Sequence, residues 1–178
     1  MWFRTQVAVD KTSIQVADAQ HKGGSVMAEY SANANQIIPP GETAIFTESP
    51  KPCTRGFVRH RDGSGNFLLS GWTPRRGCGC RRNANYLIEF GANIAIPEGG
   101  TVGPISLAIT IDGTTLPDST MIVTPAAVNE YFNVGRAINV DVWNGCCETI
   151  AIRNTSDQPV QVQNANLIIS RPDLNMTY

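Results

Sequence analysis

The sequence is poor in charged side chains and has no long apolar stretch. Only 16% of its 178 residues are Asp, Glu, Lys or Arg, against about 25% in ordinary soluble domains. No run approaches the roughly 18 apolar residues that a membrane-spanning helix needs, so no membrane segment is expected. Met1 is followed by Trp-Phe-Arg and polar residues rather than by the apolar core of a secretory signal, so we expect synthesis in a cytoplasm.

Charge and catalytic motifs exclude two further classes of function. The formal net charge of −1 gives no overall attraction to nucleic acid or to an anionic membrane. The two histidines, His21 and His60, lie outside any recognised catalytic pattern, and the motifs of serine hydrolases, zinc proteases and phosphate-binding loops are missing. We therefore expect neither an enzyme nor a bound cofactor.

Turn and strand formers are abundant. The chain has 16 Gly and 11 Pro, a composition typical of short strands joined by tight turns. The DGSG turn predicts a hairpin with arms Phe57–His60 and Asn66–Ser70. A strand is also predicted at Thr43–Glu48. Alternation in the segment NYLIEF places Tyr86, Ile88 and Phe90 on one face of another strand.

About nine or ten such strands predict an all-β fold, an antiparallel jelly-roll sandwich over residues 31–178. Residues 1–30 have few large apolar side chains, so we expect an extended N-terminal arm that becomes ordered on a partner. The arm would attach through its apolar residues, which are Trp2, Phe3, Val7, Val9, Ile14 and Val16.

A basic stretch runs from Lys51 to Arg82 and holds eight of the 14 basic residues against one acid, Asp62. Arginine suits bidentate contacts with carboxylate or phosphate, which predicts an anion-binding or partner-binding site. The alternatives are a solvated edge or ion pairs with glutamates across a subunit boundary. Nucleic-acid binding is not expected, because the neighbouring aromatic residues alternate as core residues do. The candidate binding residues are Arg55, Arg59, Arg61, Arg75, Arg76, Arg81 and Arg82.

The five cysteines and two of the tryptophans leave alternatives open. An odd number of cysteines excludes complete internal pairing, and packed thiols, a disulfide and a zinc site are the three interpretations. Trp72 and Trp143 would suit sugar binding if exposed, while burial in a core or an interface is the competing prediction. The cysteines are Cys53, Cys78, Cys80, Cys146 and Cys147.

Much of the chain, about residues 30–172, resembles the tumour-necrosis-factor-like jelly-roll proteins of phages and bacterial surfaces. The resemblance lies in the runs YSANANQIIPPGETAIF, FGANIAIPEGGTVGPISLAITIDG, TMIVTPAAVNEYFNV, GCCETIAIRNTS and QNANLIISR. It implies a jelly roll of about ten strands, a homotrimer, and a role in display or attachment without catalytic residues. The low charge of the chain also indicates an oligomer, because uncharged surfaces often face other protein.

The resemblance implies a virion-associated structural protein, a head fibre or capsid decoration, which is made in a bacterial host. It would dock on a capsid or other virion protein through its arm. The alternatives are a carbohydrate- or receptor-binding adhesin, with a host glycan as its ligand, and a location on a bacterial cell or spore surface. Strands that read as apolar on both faces are covered on both, so we expect six residues to divide between the core and a three-fold interface: Tyr86, Phe90, Ile109, Ile111, Ile138 and Ile168.

Overall fold

The computed structural model describes residues 26–73, 83–145 and 147–175. Within these residues the chain is a sandwich of two antiparallel sheets. Its twelve described strands are β1 (Met27–Ala32), β2 (Gln36–Ile38), β3 (Glu48–Lys51), β4 (Val58–His60), β5 (Phe67–Ser70), β6 (Asn83–Ala95), β7 (Ile105–Ile111), β8 (Thr114–Thr115), β9 (Met121–Val123), β10 (Phe132–Trp143), β11 (Cys147–Asn154) and β12 (Val160–Ser170). Short 3₁₀ turns span Pro117–Ser119 and Pro172–Asn175.

The first sheet, sheet A, has the order β10-β6-β12-β1-β3, with β2 also paired to β12. The second, sheet B, has the order β4-β5-β11-β7-β8, with β9 paired to β7. Apart from the β4–β5 and β7–β8 hairpins, neighbours in each sheet are not consecutive in sequence, which is the pattern of a jelly roll rather than of successive hairpins. This topology confirms the predicted fold class.

The core lies between the two sheets and follows from period-two alternation of apolar residues. In β6, Tyr86, Ile88 and Phe90 are buried, whereas Leu87 is half-buried and Glu89 is exposed. Opposite them, sheet B contributes buried side chains that include Phe67, Leu69, Leu107, Ile109, Ile150 and Ile152. The predicted alternation is therefore what brings the two sheets together.

Two predicted turns are confirmed. Strands β4 and β5 pair with Val58 opposite Leu69 and His60 opposite Phe67, which is the predicted hairpin. Asp112 and Gly113 both have positive φ, 47° and 80°, and they join β7 to β8. Two central residues with positive φ are what the tight two-residue hairpin turn requires.

The predicted strand at Thr43–Glu48 is wrong. This segment crosses between the sheets, since Ala44 N donates to Ile152 O of sheet B and Thr47 N donates to Ser31 O of sheet A. A segment that changes sheets cannot keep one continuous ladder, so the strand forms later, at Glu48–Lys51. The predicted boundary at residue 30 also falls inside β1, so the sandwich includes residues from Met27 onward.

Candidate interaction surfaces

The outward face of sheet A is broad and rich in side-chain amides. At its centre, Leu87 and Ile168 are half-buried, and Gly91 lies opposite Gly135 on β10. Six asparagines surround them on alternating positions of β6, β10 and β12: Asn83, Asn85, Asn93, Asn133, Asn139 and Asn166. Neutral amides and small apolar side chains at a sheet surface suit contact with another protein surface, because few charges must lose water.

Hydrogen bonds across the strands hold several of these amides in place. Asn133 Nδ2 donates to Asn93 Oδ1 at 3.2 Å, and Asn85 Nδ2 donates to Asp141 Oδ1 at 2.9 Å. Asn166 Nδ2 donates to Glu29 Oε1 at 2.7 Å. The described charges on this face are mostly negative: Glu29, Glu48, Glu89 and Asp141 against Lys51. The face is thus ordered, rich in neutral amides and weakly acidic, with Glu29 and Glu89 on either side of Ile168.

The six residues predicted to divide between core and interface are sorted by the structure. Four of them are buried within a single chain: Tyr86, Phe90, Ile109 and Ile138. Ile111, at the end of β7, is half-buried against the core. Ile168 is half-buried on the outward face of sheet A. Ile168 is therefore the member of this set whose position suits contact with another subunit.

A groove lies along the β4–β5 hairpin, at the edge of sheet B. It has a volume of about 390 Å³. Two of the predicted anion-binding residues, Arg59 and Arg61, lie at its border and are exposed. The residues that line this hairpin groove are Arg59, His60, Arg61, Ser64, Asn66, Leu68 and Thr149. Alternation along the hairpin puts the two arginines on the same side of it.

His60 connects the hairpin groove to the core. Its ring stacks on Phe67, with centroids 4.2 Å apart, and meets the edge of Tyr30 at 5.0 Å. Nδ1 lies 3.2 Å from Asn66 O and Nε2 lies 3.3 Å from Phe46 O. Because a carbonyl oxygen only accepts, both contacts are hydrogen bonds at once only when both ring nitrogens carry protons. The packing on both sides fixes this part of the hairpin groove.

A second concavity, the arm-end cleft, lies where β1 begins and β12 ends. It has a volume of about 360 Å³ and is lined by Arg55, Gly56, Phe57, Ser70, Trp72, Arg171 and Leu174. Trp72 is 64% exposed, and Arg171 is 1% exposed with its guanidinium carbon 5.3 Å from the centroid of the Tyr86 ring. Arg55 Nη1 donates to Leu174 O at 3.5 Å. Arg55 is thus separated from Arg59 and Arg61, because Gly56 turns the chain with φ of 68°.

The two tryptophans that the sequence left open are both exposed within the chain. Trp143, at the end of β10, is 58% exposed, and Trp72 is more exposed still. Burial of either ring in the core is therefore wrong. Both tryptophans lie at the end of the sandwich where β1 begins and β12 ends. Trp143 lies opposite Asn83 at the start of β6, and Trp72 lines the arm-end cleft. Contact with a partner or a sugar remains a prediction for both rings.

Two titratable groups near these surfaces are perturbed. Burial raises the pKa of Tyr30 to about 12, and the negative charges of Cys53 and Asp62 add to the effect. Burial, together with the Asp112 carboxylate, raises the pKa of Glu148. Both shifts oppose the appearance of negative charge in a poorly solvated place. Burial in the sandwich is the larger cause of both shifts.

Among the residues that the structure describes, no group of three or more His, Cys, Asp or Glu side chains could hold a metal ion. Cys53 is half-buried, and its Sγ accepts from Val58 N at 3.4 Å. Cys147 is exposed at the start of β11. The remaining cysteines, Cys78, Cys80 and Cys146, lie outside the described residues.

Several other predicted residues also lie outside the described ranges. These are Arg75, Arg76, Arg81 and Arg82 of the basic stretch, and Trp2, Phe3, Val7, Val9, Ile14 and Val16 of the arm. In the described parts of the chain, no helix has the length and apolarity needed to cross a bilayer. Sequence reasoning missed the amide-rich face of sheet A. Its signal was the placement of asparagines in NAN, GAN and NVD at positions that alternate with the core residues and so face the opposite side of the sheet.

Comparison with known proteins gives a fold likeness. No protein-family model matches the chain, and no curated protein matches its sequence. Among solved structures, the globular domain of zebrafish complement 1qA protein matches with a TM-score of 0.54 at 11% identity, over 80% of this chain and 94% of that one. The fold is the tumour-necrosis-factor-like jelly roll. GITRL from pika matches at 14% identity with a TM-score of 0.42, over 81% of this chain and 92% of that one. GITRL from rabbit matches at 15% identity with a TM-score of 0.40, over 82% of this chain and 92% of that one.

Proposed function

We propose that this chain is a non-enzymatic structural protein of a virion, a head fibre or capsid decoration. In this proposal it forms a homotrimer, docks on the particle through residues 1–30 and displays its jelly roll outward. The observation that supports the proposal is the outward face of sheet A, which is ordered, rich in neutral amides and carries the half-buried Leu87 and Ile168. The tumour-necrosis-factor-like fold and the sequence resemblance to trimeric phage proteins support the same conclusion.

Ile168 gives a direct test of the trimer and of the face that forms it. Ile168→Arg places a charge on the outward face, between Glu29 on β1 and Glu89 on β6. The folded chain accommodates the arginine because these carboxylates flank it, whereas a buried interface does not. We expect sedimentation equilibrium to give three times the 19.2 kDa chain mass for the original protein, and one chain mass for the variant at micromolar concentration.

Ile122 provides the matched control. It is 65% exposed on β9 of sheet B, so Ile122→Arg makes the same chemical change on the other sheet and leaves the trimer intact. Circular dichroism of both variants checks that the β fold is retained. A stable monomer of the original chain would contradict the homotrimer. A trimeric Ile168→Arg variant would show that another surface forms the contact.

Attachment to a particle is tested separately. Virions produced from the encoding genome are examined by mass spectrometry and by an electron cryomicroscopy map. We expect the chain on the particle with its arm against a capsid protein. In a reconstitution assay, the double variant Trp2→Ser and Phe3→Ser in the full chain loses binding to particles but stays trimeric. Particles without this chain, or binding that persists in the variant, would contradict the virion role or the role of the arm.

A second candidate function is a carbohydrate- or receptor-binding adhesin. It is favoured by the exposed Trp72 ring at the arm-end cleft and by the arginines of the hairpin groove, since saccharides are bound by aromatic faces and by polar side chains. A glycan array probed with the full chain tests it. Binding to a defined set of glycans supports an adhesin, and an array without binding, combined with docking on particles, leaves the structural role alone.

A further inference from the structure

Arg59 and Arg61 form no ion pair in the part of the chain that the structure describes, and Asp62 is the acid next to them in sequence. Neither guanidinium makes an ion pair or a hydrogen bond there. Both are exposed at the border of the hairpin groove. Positions two apart in an extended chain lie about 7 Å apart, so the two like charges lie close together, with the single acid Asp62 beside them. Such a pair attracts an external anion.

Hydrogen bonds within the chain hold the hairpin next to the two arginines in place without a ligand. Gly63 N donates to Phe46 O at 2.9 Å, and Phe46 N donates to Ser64 O at 3.2 Å. Asn66 N donates to Ser64 Oγ at 3.1 Å. A Cβ at Gly65 would lie 2.7 Å from Ala44 O, so the hairpin packs closely on the crossing segment. A rigid site loses less conformational entropy when it binds.

The polar residues that line the hairpin groove indicate which class of anion it binds. Ser64, Asn66 and Thr149 supply hydroxyl and amide groups, which match the hydroxyl groups of a sugar. The one aromatic ring among the described lining residues, His60, already stacks on Phe67, so no ring face is offered to a nucleobase. Single-stranded nucleic acids are bound chiefly on such ring faces. The volume of about 390 Å³ is in the range of small-ligand sites.

We propose that the hairpin groove binds an acidic saccharide, with Arg59 and Arg61 contacting its carboxylates or sulfates and the polar lining contacting its hydroxyl groups. The inference deepens the second candidate function and rests on it for the class of ligand. It is independent of particle docking and of the outward face of sheet A.

The test measures binding of the full chain to three polysaccharides by surface plasmon resonance, at low and at high salt. Heparin presents sulfates and carboxylates, polygalacturonate presents carboxylates alone, and dextran is neutral. We expect binding to heparin, polygalacturonate or both, weakened by salt because screening reduces charge contacts, and no binding to dextran. The double variant Arg59→Gln and Arg61→Gln should lose about tenfold or more in affinity, since charged hydrogen bonds are removed.

The matched control removes one exposed cation from β10, with Arg136→Gln, and is compared with the single groove variant Arg59→Gln. It changes the net charge equally and should alter affinity less than about twofold. Equal losses in both variants, retained binding by the groove variant, or equal binding of dextran would overturn the proposal. Dissociation of the groove variant in the ultracentrifuge would also overturn it, because the arginines would then pair with another subunit. If the chain binds other glycans but neither acidic probe, the groove proposal falls and the adhesin candidate stands. If it binds no glycan, both fall.

Discussion

Asn154, at the end of β11, is the polar residue on which the distal end of the sandwich depends most. It is fully buried. Its Nδ2 donates to Ile38 O at 2.8 Å and to Gln158 O at 2.9 Å. Its Oδ1 accepts from Ser156 N at 2.9 Å and from the Ser156 hydroxyl. One side chain thus joins β2, the end of β11 and the turn that leads into β12.

Asn154→Ala removes these four hydrogen bonds and leaves buried backbone groups without partners. A net contribution of about 1 kcal/mol for each bond gives about 4 kcal/mol. The half-buried Ser156 hydroxyl can turn to water, so we expect a loss of about 3 to 4 kcal/mol. That is a large part of the roughly 5–15 kcal/mol by which domains are stable. Asn154→Asp keeps the size but faces two carbonyl oxygens with a carboxylate, so its loss should be at least as large.

The assay is urea denaturation followed by circular dichroism at one fixed protein concentration, because unfolding of an oligomer depends on concentration. The midpoint should fall while the slope stays unchanged. The control is Thr155→Ala, a change at an exposed residue with one side-chain hydrogen bond, to Ser106, for which we expect a loss below about 0.5 kcal/mol. A loss below about 1 kcal/mol for Asn154→Ala would refute the reasoning from this hydrogen-bond network.

Three further predictions follow from burial and charge. The pKa of Tyr30 is about 12 in the folded chain and about 10 when unfolded. The unfolded chain therefore loses this proton first, so the contribution of Tyr30 to the free energy of unfolding should be constant below pH 10 and fall by up to about 3 kcal/mol between pH 10 and 12; Tyr30→Phe removes that fall. Gly65→Ala should destabilise the hairpin by about 1 to 3 kcal/mol in urea denaturation, because its Cβ would lie 2.7 Å from Ala44 O. Glu148→Gln should raise the free energy of unfolding at pH 7 by less than about 1 kcal/mol, because burial and the Asp112 carboxylate disfavour the ionised form of Glu148 and raise its pKa. The gain should vanish at pH 3, where the carboxyl is protonated.

Each of these predictions has a matched control. Tyr131→Phe, a change at an exposed tyrosine, should keep the fall in stability between pH 10 and 12. Gly103→Ala should be nearly neutral, since its Cβ would meet the nearest atoms at 3.9 Å and beyond. Glu98→Gln removes the same charge at an exposed position in the turn between β6 and β7. A Gly65→Ala variant as stable as Gly103→Ala would contradict the close packing of the hairpin, and equal gains for the two glutamine variants would contradict the role of Asp112.

Much of the sandwich was predictable because its strands obey a period of two. Tyr86, Ile88 and Phe90 had to share a face, and the sequence Asp112-Gly113 had to turn. The crossing segment Thr43–Glu48 was not predictable in the same way. Its residues alternate as in a strand, but its backbone groups bond to two different sheets, and local sequence does not specify which partner a backbone group meets.

The candidate sites were predictable only in part. Arg59 and Arg61 share one side of the hairpin because they are two residues apart, whereas Arg55 lies in another cleft because Gly56 turns the chain. Alternation also could not separate Phe90 from Ile168 in the predicted interface set. Both are apolar residues in central strands of sheet A, and only the pairing of β6 with β12 shows that they face opposite sides.

The start of β1 and the end of β12, the first and last described strands, lie side by side at one end of the sandwich. Met27 pairs with Ser170, so anything joined before β1 or after β12 leaves the domain from the same end. The 13 residues of β6 span about 40 Å, and the turn at residues 155–159 lies at the far side. A peptide inserted in that turn would be carried about 40 Å away from whatever surface holds the two strand ends. The start of β1 and the end of β12 therefore lie at the opposite end of the sandwich from the turn at residues 155–159.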